Sequence, residues 1–495
     1  MGWSYDQALA WLEDHLNLEA VLAGRPEPSL DRMRQLCRLM GDPQSTFPVI
    51  HLTGTNGKGS TTRMIAALLA ARGLAVGLYT SPDLERVNER LAVARGHIDA
   101  FEETHGERDA AEGVEDAEDA EDEQVRIGDE TPAPHSDDEA AGLASLVPEA
   151  VPDDDLAALF EALAGLEALL DTRPTRFELL TAAAYRWFAD EAVDVAVVEV
   201  GLGGTFDATN VADGQVAVVT NVSLDHAEIL GPGLDDIARE KAGIVKAGST
   251  LVLGETSEAL VPLFRAAGAE QVWEMGRHFG VTADRVAVGG RLVSLRTHAA
   301  LYDDVFLPVH GAHQATNAAL AVAAAEAFFG GPLPDDVVTE AFAGLELPGR
   351  MEVMGRHPLV LIDGAHNEAG ARAAAATMAE EFGGGADLIA VVGMLRGRDP
   401  QQMLRSLGLE HARLVVACPA PSPRSLPAAE VAAAARALGL ETAEARTVAE
   451  AVDLALAAAG DDDRVLVTGS LYVVGAARSA LRRRRSDVRT NGTGQ

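Results

Sequence analysis

Lysine is nearly missing from this 495-residue chain: Lys58, Lys241 and Lys246 are the complete set, and every other basic residue is arginine. Basic residues as a whole are scarce, 40 Lys and Arg against 76 Asp and Glu, for a formal net charge of −36 and an isoelectric point near 4.6. A chain so acidic has no basic face with which to neutralise phosphates, which excludes a protein that coats nucleic acid. Arginine in place of lysine, together with excess carboxylate, fits two origins. One is life in high salt, where carboxylates keep a surface hydrated; the other is a high-GC coding bias, which raises Arg, Ala and Gly together. Cysteine is limited to Cys37 and Cys418, far apart and without ligand spacing, which excludes a disulfide framework and a cysteine metal site. The amino terminus lacks a basic stretch leading into an apolar core, and no apolar run reaches the roughly 18 residues of a membrane span. The expectation is a cytoplasmic monomer with neither a nucleic-acid nor a membrane partner.

Apolar residues are abundant, at 47%, which is ample for packed cores. Continuous runs at Phe47–Leu52, Val193–Val200 and Val216–Val222 read as buried strands, and helical stretches at Ser60–Ala71 and Leu179–Phe188 lie between them. A second set of runs follows Pro348-Gly349, at Leu359–Ile362, Leu388–Val392, Leu414–Ala417 and Val465–Val467, separated by Ala-rich helical segments. Such alternation predicts α/β domains built on parallel sheets covered on both faces. The expected division is an amino-terminal domain over 1–347, a smaller α/β domain over 348–480, and a flexible tail over 481–495. Residues 101–140 carry 17 Asp and Glu against two Arg. So dense a charge cannot bury enough surface to order itself, and a disordered insertion over about 101–150 is expected.

The strand Phe47–Leu52 runs into Thr53-Gly-Thr55-Asn56-Gly57-Lys58-Gly59-Ser60 and then a helix. Glycines let backbone N–H groups approach phosphate oxygens, the helix start adds partial positive charge, and lysine reaches the terminal phosphates. The common Walker spacing is not met, since its first Gly would fall at Leu52 and Lys58 is followed by Gly59. Glu199 closes a buried strand, where a carboxylate is costly unless it meets a cation and where open α/β sheets place ligands. The Gly201-x-Gly203 pair after it lacks a third glycine at Phe206, against a dinucleotide site. Further along stand Asn221-Val-Ser-Leu-Asp-His226, Arg239-Glu-Lys241-Ala-Gly-Ile, His310-Gly-Ala-His-Gln-Ala-Thr-Asn317, Pro348-Gly-Arg350 and Asp363-Gly-Ala-His366-Asn367. Taken singly, His226 reads first as a structural histidine, Lys241 has an ordinary ion pair as its plainer alternative, and Pro174-Thr-Arg-Phe-Glu178 resembles an acidic helix start.

In order along the chain, these segments resemble the folylpolyglutamate synthase/dihydrofolate synthase family of the Mur-ligase-like superfamily. The resemblance implies a P-loop-containing Mur-ligase-like central ATPase domain with a parallel-rich sheet, followed by a Rossmann-like α/β carboxy-terminal domain. It implies an ATP- and Mg²⁺-dependent amide ligase that adds L-glutamate to dihydropteroate, to reduced folates, or to both, through an acyl phosphate. By resemblance, Thr55, Asn56, Gly57, Lys58, Gly59, Ser60, Asn317, Arg350 and Asp363 bind ATP. Ser81, Glu199 and His226 hold Mg²⁺, and Thr175, Arg176, Phe177, Glu178, Phe206, Asp207, Ala208 and His366 line the substrate site. Lys58, Lys241 and His226 serve the chemistry, Lys241 as a carbamate. Two positions depart from the family pattern: Asp83 stands where Ser81-Pro-x-Leu84 has histidine, and Thr205-Phe206 stands where a basic–leucine pair is common. A peptidoglycan-type Mur ligase and a nucleotide-binding homologue without chemistry are the alternatives.

Overall fold

In the computed structural model of the chain, residues 2–18, 29–96, 146–384 and 387–492 are described. The first sheet has eight strands: β1 (Val49–Thr53), β2 (Ala75–Tyr79), β3 (Leu91–Arg95), β4 (Glu149–Ala150), β5 (Val195–Glu199), β6 (Gly214–Asn221), β7 (Thr250–Glu255) and β8 (Gln271–Glu274). Their order is β4-β3-β2-β5-β1-β6-β7-β8, parallel from β2 to β8, with β3 and β4 antiparallel at one edge. The apolar runs are continuous because both faces are covered. Ile50, Leu52, Val195 and Val197 pack on one side with the helices Lys58–Ala71 and Ala312–Phe329. Val49, Ala196 and Val198 pack on the other with the helix Arg176–Asp190. Strand β1 crosses to β2 and β5 crosses to β6, so the chain leaves two neighbouring strand ends in opposite directions and opens a crevice there.

A three-stranded antiparallel sheet, β9 (Gly280–Ala287), β10 (Gly290–Arg296) and β11 (Leu301–Leu307), follows in the order β11-β10-β9. No long apolar run announces it in the sequence: β9 and β11 mix buried and exposed residues, and only the central β10 is mostly buried. The second main sheet holds β12 (Glu352–Arg356), β13 (Leu359–Ile362), β14 (Leu388–Val392), β15 (Leu414–Ala417), β16 (Thr442–Glu444) and β17 (Arg464–Thr468). Its order is β12-β13-β17-β14-β15-β16, parallel except for β12.

Two expectations change. The acidic insertion falls largely on residues outside those described, but its predicted end at about 150 is too late: Leu146 is buried and Glu149–Ala150 pair with β3. The segment read as a tail from 481 continues the helix Leu471–Gly492, and Leu481 is buried.

That last helix grips the loop after β2. Arg478 ion-pairs with Glu85 at 2.6 Å and Glu352 at 2.9 Å, and Gly475 lies against the loop so closely that a Cβ would stand 1.8 Å from the Leu84 carbonyl oxygen. Alanine in a helix is normally favoured over glycine by about 1 kcal/mol. Here Gly475→Ala should instead destabilise the fold by roughly 1–3 kcal/mol through overpacking, read as a lowered Tm in calorimetry.

Candidate active site

The carboxyl ends of β2, β5, β1 and β6 lie side by side, and each delivers one part of the site. From β1 comes the phosphate loop, which is bolted to the end of β6. The Asn56 N–H donates to Asn221 Oδ1 at 3.0 Å, the Asn56 carbonyl accepts from Thr220 Oγ1 at 2.6 Å and Asn221 Nδ2 at 3.0 Å, and Thr55 Oγ1 donates to the Ser223 carbonyl. Two glycines are obligatory. Gly54 has φ +154° and a Cβ there would fall 1.8 Å from Thr220 Oγ1; Gly57 has φ +82° and a Cβ would meet Asn317 Oδ1 at 2.5 Å. Lys58 Nζ donates back to the carbonyls of Gly54 at 3.1 Å and Thr55 at 3.3 Å, so the ammonium is held at the mouth of the loop. Gly59, where a Walker loop has a hydroxyl, faces Glu199: a Cβ there would be 3.4 Å from Glu199 Oε2.

From β5 comes Glu199, only 3% exposed, receiving the Ser81 backbone N–H at 3.2 Å from the end of β2. Burial pushes its carboxyl above the usual range, opposed by the charge of Lys58. From β6 come Asp225 and His226. The His226 backbone has φ +52°, its N–H is accepted by Asp225 Oδ1 at 2.9 Å, and burial holds its imidazole below the ordinary value. Among the described residues no three His, Cys, Asp or Glu side chains are grouped to hold a metal by themselves. A set made of the Ser81 hydroxyl, Glu199 and His226 mixes donor types in the way Mg²⁺ tolerates.

Lys241 is drawn in beneath the loop after β5. A Cβ on Gly204 would fall 2.4 Å from the Glu240 carbonyl oxygen and 3.2 Å from Lys241 Cα, and Thr205, the departure from the basic residue, donates its N–H to Glu240 at 3.0 Å. Lys241 is 3% exposed, and burial, reinforced by Lys58, pulls its amine down to about 7.

Two cavities adjoin here. The smaller, about 50 Å³, is bounded by Thr55, Lys58, Asp225, His226, Lys241 and His366. The larger, about 370 Å³, takes Ser81, Thr175, Phe177, Glu178, Phe206, Asp207 and Ala208 from the first sheet's elements, and Arg398, Arg424 and Tyr472 from the second's. His226 and His366 line both. Phe206 is half exposed toward the larger cavity, and Phe177 lies beside Gly201, where a Cβ would come 2.5 Å from its ring. Burial pushes the His366 imidazole down to about 4.

Several sequence-predicted residues are otherwise engaged. Glu178 is the return half of a capping box, accepting the Thr175 N–H at 2.7 Å while Thr175 Oγ1 accepts the Glu178 N–H, and its carboxylate also takes Arg32 at 3.2 Å. Its oxygens are therefore largely committed before a ring N–H arrives. Arg176 lies off both cavity walls and pairs with Glu13 at 3.3 Å. Asp207 is turned to local backbone, accepting from Leu202 at 2.9 Å and Thr209 at 3.1 Å. Asp83 is paired with the buried Arg90 at 2.6 Å; burial would raise its carboxyl, but that guanidinium holds it low. Asn317, Arg350 and Asp363 also stand off the cavity walls, Asn317 against Gly57 of the phosphate loop and Arg350 and Asp363 at the seam between the sheets. Asp363 accepts the N–H groups of Met351 and Ala365, both at 2.9 Å, while the Arg350 guanidinium covers Gly364. Sequence reasoning gave no role to Asp225, Arg398 or Asn367, which meet across that seam. Asp225 and Asn367 were visible inside motifs, whereas Arg398 carries no motif signal.

Comparison with known proteins gives the family and the fold. The Mur ligase middle domain matches residues 156–325, and the Mur ligase, glutamate ligase domain, matches 349–471. The dihydrofolate synthase/folylpolyglutamate synthase of Mycobacterium tuberculosis is 35% identical, over 93% of this chain and 91% of its own length. A solved structure of Mycobacterium tuberculosis folylpolyglutamate synthase complexed with ADP superposes with a TM-score of 0.80 at 32% identity, covering 96% of this chain and 98% of that one. Escherichia coli FolC in complex with DHPP and ADP gives 0.75 at 27% identity, covering 98% and 99%. The chain belongs to the dihydrofolate synthase/folylpolyglutamate synthase family of Mur ligases.

Proposed function

We propose that the chain joins L-glutamate to dihydropteroate and to the γ-carboxylate of reduced folates, driven by ATP. The observation that carries the reading is the junction of the two cavities at His226 and His366. A flat ring held between Phe177 and Phe206 would direct its carboxylate toward the smaller, lysine-lined space where a γ-phosphate would lie. A carboxylate has no leaving group for amide formation, and phosphorylation supplies one. The phosphate-loop amides and Lys58 stabilise charge on the transferring phosphoryl group. The neutral His366 borders that point without adding a competing positive charge. The glutamate amine then attacks the acyl carbon, forming the amide and releasing phosphate.

Mg²⁺ would be held by Ser81, Glu199 and His226 and, when bound, supplies charge neutralisation on the phosphates; the raised carboxyl of Glu199 suits a cation as its missing partner. Carbamylation of Lys241 is favoured by its burial and weakened basicity, since only the neutral amine reacts with CO₂. Asn317, against Gly57, and Arg350 with Asp363 would enclose the nucleotide from the seam. We place the limit between the two domains at 347/348, with the second domain running on into the helix Leu471–Gly492, and read the enzyme as a cytoplasmic monomer whose partners are small molecules. Among the described residues no helix is long and apolar enough to cross a membrane.

The deciding assay offers purified protein ATP, Mg²⁺ and radiolabelled glutamate with either dihydropteroate or tetrahydrofolate, in low and in molar salt. Label should enter both acceptors, and incorporation into neither removes the proposal. Lys58→Ala should cut turnover by roughly a thousandfold. In CO₂-free buffer, where Lys241 is the free amine, Lys241→Met should abolish turnover yet raise Tm at pH 7, because the fold pays to bury an amine whose unfolded value is 10.5 and whose folded value is about 7. Between those values the unfolded chain binds the extra proton, so wild-type stability climbs with pH and the gain from Met should shrink from pH 7 toward 10.5. A gain independent of pH would contradict the assignment.

A further inference from the structure

We infer that Asn367, Asp225 and Arg398 form a latch that couples the phosphate loop to docking of the second sheet domain, and that its task is to keep water from the acyl phosphate. The inference rests on the ligase reading above. Asn367 uses its whole side-chain amide. Its Oδ1 accepts the Gly370 N–H at 2.9 Å, capping the helix Glu368–Glu381, and this fixes the amide orientation. Its Nδ2 donates to Asn56 Oδ1 of the phosphate loop at 2.9 Å and to Asp225 Oδ2 at 2.8 Å. Arg398 reaches the other oxygen of Asp225 at 2.9 Å. That same oxygen accepts the His226 N–H at 2.9 Å, in a backbone conformation that non-glycine residues seldom adopt.

Asp225 is therefore a shared terminus. Two donors from the second domain and one from the strand end carrying His226 converge on one carboxylate, which is 8% exposed. Asp225 and His226 line the smaller cavity together with Lys58, and Arg398 lines the larger one beside it. A charged hydrogen bond desolvated to this degree holds its geometry far better than a surface pair. Opening the seam would strand the Asp225 carboxylate, loosen Asn56 and free His226 together. In the open state water, in place of the amine, attacks the acyl carbon, releasing phosphate and returning the carboxylate, so ATP is spent without a bond. Asn367, Asp225 and Arg398 are positioning residues, acting through His226 and the phosphate loop rather than on substrate.

Asn367→Ser keeps the helix cap but cannot reach Asn56 or Asp225, which separates latch from fold. Arg398→Ala removes the other donor, and Arg398→Lys restores a cation without the planar fork. Each of the first two should lower kcat roughly tenfold or more, the size of a lost charged hydrogen bond, while ADP affinity stays within about threefold, because Thr220 and Asn221 still hold Asn56. Phosphate released per amide formed should rise from one in the wild type to well above one, and Arg398→Lys should recover part of the coupling. Hydrogen exchange around Asn56 and Asn221–His226 in the ADP-bound protein should be faster in both variants. That readout stands even if the wild type ligates no glutamate, an outcome that removes the proposed function alone. Wild-type coupling and exchange in Asn367→Ser and Arg398→Ala would overturn the latch. So would loss of ADP binding and Tm in both, since the residues would then be general supports.

Discussion

The buried carboxylate of Glu199 is the constraint around which the rest is arranged. At the end of a central parallel strand it has almost no water, and its charged form is tolerable only if cations are brought to it. Lys58 comes from β1, the Ser81 amide from β2, and Arg350 from beyond the first sheet contributes its charge as well. Gly59 faces the carboxylate directly, at a position where a Cβ would already be in van der Waals contact with Glu199 Oε2. A site that concentrates charge in a dry crevice is costly for stability and effective for stabilising a transferring phosphoryl group.

Most of the fold was legible because parallel strands buried on both faces write themselves as unbroken Val, Ile and Leu runs. The run at 193–200 became β5 at Val195–Glu199, and 216–222 became β6 at Gly214–Asn221, with only the ends displaced. The antiparallel trio β9 to β11 went unread because it is half solvated and rich in charge. Its buried Arg291 is answered by Asp284 and by Glu380 and Glu381 on a distant helix. The site was legible as a set of motifs but not as a set of contacts. Asp83 looked like a loss of function at a histidine position, whereas it had become the partner of Arg90, seven residues on. Asn367 could be seen closing a motif, but not that its amide would meet Asn56, 311 residues away. Nothing local in a sequence encodes a hydrogen bond across a domain seam.

The scarcity of lysine gains meaning from these contacts. Lys58 and Lys241 border one 50 Å³ cavity, and the charge of Lys58 adds to burial in pulling the Lys241 amine down. Lys246 sits nearby in the chain but pairs with Asp213 at 3.7 Å and donates to the Asn210 carbonyl at 3.3 Å. Elsewhere arginine does what surface lysine would do, in pairs such as Arg265 with Glu274 and Arg173 with Asp14. Whatever pressure removed lysine from the surface stopped where a compact, neutralisable amine was needed, since guanidinium can neither lose its proton nor fit the same loop.

The grip of the last helix on the loop after β2 has a bearing on how the molecule comes apart. Chain termini are ordinarily the first segments to fray, and in most enzymes that fraying is silent. Here Gly475 and Arg478 hold Leu84 and Glu85, three and four residues from Ser81, so the last helix is wired to one end of the crevice. The carboxy-terminal helix thus behaves as a splint: its integrity is read out at the Ser81 side of the crevice, far along the chain from where the loosening starts.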